Sequence, residues 1–146
     1  MTPRILAIDA ATEACSVALW SPAGVIARLE EAGRDAALRI LPMVQEVLDV
    51  GGVRLRDLQA LAAGIGPGGF TGVRIGVSVA QGLALGAGLV VIPVNSLEAL
   101  ARQALPDLAP GSEVLACLDA RMGELYWGCY AADAERGVAV RQGPQL

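Results

Sequence analysis

GIGPGGFTGVRIG, residues 64 to 76, sets six glycines and a proline in thirteen positions, ahead of a long uncharged segment. Glycine at this density serves one of two purposes. It lets backbone N–H groups approach a phosphate, or it forms a turn that feeds a helix. The stretch lacks the Lys-Ser/Thr ending of a P-loop, so the strong phosphate signature is missing. Gly66-Pro67-Gly68-Gly69 therefore reads as a turn, and Thr71 as the cap of a helix running to about Leu85. Just upstream, LQALAAGI at 58 to 65 reads as the strand that leads into it.

Working outward, RILAID at 4 to 9, CSVALW at 15 to 20 and VIARLE at 25 to 30 are short strands joined by turns, an antiparallel meander. A helix follows from about Asp35 to Val50. Ala37, Leu41, Val44 and Leu48 make one apolar line on it, Ile40, Met43, Val47 and Val50 a second, and Gly51-Gly52 stops it. Pro42 is expected to bend this helix or mark a late start. Beyond the quoted stretch, LVVIPV reads as a strand and SLEALARQAL as a helix whose Ser96 and Glu98 suit an N-terminus. The order is βββαβαβα.

Composition narrows the chemistry. The chain has 146 residues, enough for one ordinary domain, with 54% hydrophobic residues and only 3% aromatic. Net charge is −4 and all eleven cations are arginine, a balance that argues against a free-standing nucleic-acid binder. With no histidine, Ser-His-Asp and Cys-His catalysis and imidazole metal sites are excluded. Cys15, Cys117 and Cys129 form no CxxC pair and read as reduced thiols of a cytosolic protein. Residues 75 to 94 carry no charge over twenty positions, the length of a membrane span, but Gly and Pro interrupt the run five times. A buried helix followed by a buried strand is the expectation, in a soluble protein.

After the Pro-rich hinge at 106 to 113, the pattern of residues 4 to 20 returns. VLACLDARMGELYWGCY at 114 to 130 again has a strand ending in Asp-Ala, a short polar turn and a second strand with tryptophan. GVAVRQ from 137 begins a third strand. The domains expected are thus 1–105, the hinge 106–113, and the start of a second unit at 114–146. No helix follows in that unit, so the second half is expected to be incomplete, in a truncated chain or a fragment.

Duplicated βββαβαβα halves with an acid after each first strand resemble the actin, Hsp70 and sugar-kinase superfamily. The resemblance implies an α/β fold with a mixed five-stranded sheet. ILAIDAATEACSVALW, RILPMVQEVL, GIGPGGFTGVRIGVSVAQGLALG and LDARMGELYW are similar, more narrowly, to the TsaB (YeaZ-like) proteins of bacteria. That resemblance implies a cytoplasmic, non-catalytic subunit in the synthesis of threonylcarbamoyladenosine on tRNA. It implies pairing with the catalytic subunit TsaD, work alongside the ATPase TsaE, a homodimer in isolation, and only indirect contact with tRNA. The glycoprotease-like label attached to the family finds no nucleophile–base pair here. Two positions depart from the family pattern: Ala36 stands where many relatives have histidine, and Gly69 where the loop commonly has serine.

An actin-like ATPase holds phosphates on the turns after its two first strands. Here the first turn, after Asp9, has no glycine and carries Glu13 near Thr12; the second, after Asp119, has Arg121 and one glycine. A carboxylate near a phosphate repels it. Asp9, Thr12, Asp119 and Arg121 are vestigial cofactor-site candidates, the acids being either metal-orienting groups or caps that bond the turn after each strand. No catalytic residue, metal or cofactor is expected; an ATP-dependent phosphotransferase or ATPase is the competing reading.

The 71–85 helix points to a different role. Gly72, Gly76 and Ala80 form a small-residue face, other faces are apolar, and Arg74 is the one charge. A helix apolar all round needs cover on more than one side. Either it is central in a three-layer domain, or one side meets a partner. The partner surface expected is Leu41, Val44 and Val47 with Gly72, Gly76, Val79, Ala80 and Leu83. On that expectation, Val44→Glu or Gly76→Leu yields a folded chain that no longer binds its partner.

Overall fold

The computed structural model describes residues 3–104, 108–109, 111–133 and 137–145. β1 (Ile5–Asp9), β2 (Cys15–Ser21) and β3 (Gly24–Glu30) form the expected antiparallel meander. α1 (Ala36–Gly51) leads to β4 (Ala60–Gly64), which returns parallel to β1, and α2 (Phe70–Ala87) leads to β5 (Val90–Val94). The result is a mixed five-stranded sheet in the order β3-β2-β1-β4-β5. The uncharged run at 75 to 94 is a helix and then a strand, but not the buried pair expected: of α2 only Gly76, Ala80 and Ala84 are buried, and no residue of β5 is. α2 passes a length-and-composition test for a membrane span, but it ends before Gly88, whose φ is 67°, and β5 follows.

Side chains alternate across a strand, so one face of the sheet collects every second residue. Register aligns Leu6 with Leu19 and Leu61, and Ile8 with Val17 and Ala63. All six are buried, and with Cys15 they form the floor on which the helices lie. α1 covers this floor with Ala36, Ile40, Met43, Val44, Val47 and Leu48, a single stripe at helical spacing. It continues through exposed Pro42 from a start at Ala36, so the late start is not observed. Its end is set by Gly52 at φ 61°, whose N–H reaches Asp49 O, while Val53 N–H donates to Leu48 O. A bidentate pair, Arg39 Nε and Nη2 to Glu30 at 2.7 and 2.6 Å, ties α1 to β3. The guanidinium's hydrogen bond holds the Glu30 carboxyl below its usual range.

α2 lays Gly76, Ala80 and Ala84 on the sheet, with Ile75, Val79 and Leu83 packed at the margins of the same core. Its N-cap is Gly69 and its first residue Phe70, so Thr71 lies inside the helix and makes no cap. The reason is that Gly69 is already extended, at φ −61° and ψ 122°, two residues earlier than expected. The opposite face of the sheet carries exposed Trp20, Val25, Leu29, Val90 and Ile92.

The remaining elements form a second unit. α3 (Ser96–Ala104) packs Leu97 and Ala101 against Ala116 and Tyr130 of a three-stranded antiparallel sheet, β6 (Glu113–Arg121), β7 (Glu124–Asp133) and β8 (Gly137–Gln145). Compact unit one is Met1–Ile65 with Gly69–Pro93; unit two is Gly66–Gly68 with Val94–Leu146. The boundary expected at residue 105 thus moves to before α3, because α3 buries its apolar stripe on the second sheet. Ser96 N–H also donates to Gly66 O, joining the glycine turn to this unit. Of the expected hinge at 106–113, residues 106, 107 and 110 lie outside the described residues. Asn95, not Ser96, caps α3: its Oδ1 accepts from Leu97 N and Glu98 N at 2.9 and 3.1 Å.

At the edge of unit one, Arg54 grips Asp57 through Nε and Nη2 at 2.8 and 2.9 Å. That hydrogen-bonded guanidinium lowers the Asp57 carboxyl from 3.8 to about 2. A depressed carboxyl stabilises the fold above its unfolded value, and the contribution fades as pH falls through about 2. Because the pair is exposed, solvent and salt reduce its effect. Urea melts in strong acid should therefore show a shallow extra loss of stability that Asp57→Asn removes.

Candidate functional site

The turn after β1 is built by its own polar groups. Asp9 Oδ1 accepts the Ala11 N–H at 2.6 Å, and Thr12 Oγ1 accepts the Ala14 N–H at 3.2 Å. Three glycines far away in sequence then close around this turn. Gly64, at the end of neighbouring β4, leaves room for the Asp9 carboxylate, which a Cβ there would strike. Gly69 N–H donates to Ala11 O at 2.6 Å. Gly72 lies so close to Ala10 that an added Cβ would collide with its carbonyl oxygen. One backbone donor at the start of α2 is thus used by the chain's own backbone.

Gly72→Ala is expected to destabilise unit one by about 1–3 kcal/mol, since the obstacle is backbone and cannot rotate away. Gly82→Ala, with nothing within 4 Å of the added carbon, is the matched control and should be neutral or slightly stabilising. Urea denaturation of the two variants checks the difference.

The second unit repeats the local arrangement. Asp119 Oδ1 accepts the Arg121 N–H at 2.7 Å, and the hairpin turns at Met122-Gly123 between paired Arg121 and Glu124. Arg121, Met122 and Gly123 all have positive φ, at 67°, 56° and 80°. Asp9 and Asp119 therefore do the same thing, each orienting the turn that follows its strand, within separate units. Among the described residues, no three His, Cys, Asp or Glu side chains gather as a metal site. Burial, then the charges of Glu30 and Asp9, push the Cys15 thiol up, so it stays protonated in the core.

The residues expected to face a partner divide between two environments. Val44, Val47 and Ala80 are 4%, 0% and 0% exposed, and Gly76 is buried against Ala10. These four, with Gly72, face the chain's own sheet, and the expectation that they form an outer surface is corrected. The small-residue face does permit close approach, but what approaches is the β1–β2 turn. Val79 and Leu83 sit half-buried at the margin, and Leu41 alone of the eight is exposed, at 51%. The outward apolar residues that sequence reasoning missed are Leu38 and Val50 on α1 and Phe70 and Leu85 on α2. Arg74 stacks over the Phe70 ring at 3.6 Å to the centroid.

A β3-β2-β1-β4-β5 sheet, followed by a unit that reopens with strand, Asp-Ala, turn and strand, defines an α/β protein of the actin-like class. Residues 22–141 match the family model described as TsaD, tRNA N6-adenosine threonylcarbamoyltransferase. The structure superposes on YeaZ from Pseudomonas aeruginosa with a TM-score of 0.89 and 41% identity, covering 99% of this chain and 67% of that one. The chain belongs to this family, among its TsaB/YeaZ-like proteins. It is 55% identical over 135 residues to the tRNA threonylcarbamoyladenosine biosynthesis protein TsaB of Escherichia coli, and 49% over 123 residues to that of Haemophilus influenzae. These matches take in 92% and 84% of this chain but 58% and 52% of the relatives, so it spans little more than half their length.

Proposed function

We propose that this chain acts in the threonylcarbamoyladenosine modification of tRNA as a cytoplasmic scaffold subunit that binds and supports a TsaD-like catalytic partner. The names of its relatives support the pathway. The observation that carries the non-catalytic role is the β1–β2 turn, whose Asp9 carboxylate is bonded within the turn and whose Ala11 carbonyl takes the Gly69 N–H at the start of α2. A TsaE-like ATPase supplies nucleotide chemistry in this reading, tRNA is held by other subunits, and the isolated chain pairs with itself. The partner surface is the outward side of α1 and α2, centred on Leu41 with Leu38 and Leu85, and with Val79 and Leu83 at its margin. Exposed apolar side chains on a helix face are of the kind that marks an interaction site. One surface cannot hold two partners, so the homodimer and the TsaD-like complex compete.

The competing reading, an actin-like ATPase or phosphotransferase, is separated by calorimetry with ATP and magnesium. The scaffold reading expects no heat at micromolar nucleotide and no phosphate release. Micromolar binding, with hydrolysis lost in Asp9→Asn, would establish the enzyme instead.

A further inference from the structure

We draw no further inference here: the strongest candidate, the face of the five-stranded sheet turned away from α1 and α2, where Trp20, Val25, Leu29, Val90 and Ile92 stand exposed, carries nothing because nothing in the structure shows what covers it.

Discussion

Val44→Glu is expected to unfold the first unit rather than to release a partner. Val44 lies 4% exposed between α1 and the sheet, in one core with Ile40, Met43 and Val47. A carboxylate there has two routes, and both are costly. It ionises without a buried cation to pair with, or it stays protonated, loses its hydration and overfills the site. Either route costs several kcal/mol, about 3–5 by the usual penalty for an unpaired buried charge. Whole domains are stable by only about 5–15 kcal/mol, so most of the margin goes. Circular dichroism and urea melts at neutral pH should show a lost or severely lowered transition. Val47→Glu and Gly76→Leu belong to the same class, because each enlarges a side chain that faces the sheet. A folded Val44→Glu chain with an ordinary melt would mean that α1 presents a different face to the core.

Leu41→Glu is expected to behave in the opposite way. Leu41 is half exposed on the outer side of α1, so the free chain solvates the new charge and its stability should move by no more than about 0.5 kcal/mol. Association is where the change appears. A carboxylate at the centre of an apolar contact is stripped of water without gaining a cation, and central contact residues typically contribute about 2–4 kcal/mol. Binding to a TsaD-like partner should weaken by roughly 30- to 1,000-fold, the same energy expressed as a ratio. Self-association should weaken in parallel, since both use one surface. An unchanged melt with unchanged affinity would remove α1 from the interface.

The contrast between these two leucine- and valine-bearing positions shows what the sequence could and could not convey. The strands were legible as short runs bounded by turns; that Leu6, Ile8, Val17 and Leu19 share one buried face is seen only in the register, because Ile5 and Ala7 are apolar too. The order of elements was legible as well, and the glycine stretch is a turn before a helix as its residues imply, whereas the mixed five-stranded sheet was an implication of the superfamily resemblance. The phase of α1 was not legible to the same degree. In a chain that is 54% hydrophobic, both sides of the helix carry apolar residues, and Ala36 inside differs little from Ala37 outside. Only the stripe Ala36, Ile40, Met43, Val44, Val47, Leu48 distinguishes core from surface, and it cuts across the two lines read from the sequence.

The small-residue face of α2 is legible in the sequence, but the neighbour it admits is not. Gly72 leaves no room for a Cβ because the Ala10 backbone comes close, brought there by the parallel pairing of β1 with β4, while Gly76 meets the same residue at ordinary contact distance. A contact so distant in sequence leaves no local signature. The caps lie one or two residues from where the sequence places them, for a simpler reason. Asn95 and Ser96 are both competent caps, and Gly69, two residues before Thr71, begins its helix without a side-chain cap. At Asp9 and Asp119 the sequence allowed a metal-orienting acid or a turn-bonding one. The observed bonds to Ala11 N–H and Arg121 N–H are those of the second.

The scaffold account is tested most directly by size-exclusion chromatography with light scattering, on this chain, on a TsaD-like subunit, and on their mixture. The account predicts a new peak at the summed mass of one copy of each, lost when Leu41→Glu replaces the unsubstituted chain and kept when Gly82→Ala does. Two peaks at the separate masses, at concentrations where the unsubstituted chain is folded, would contradict it.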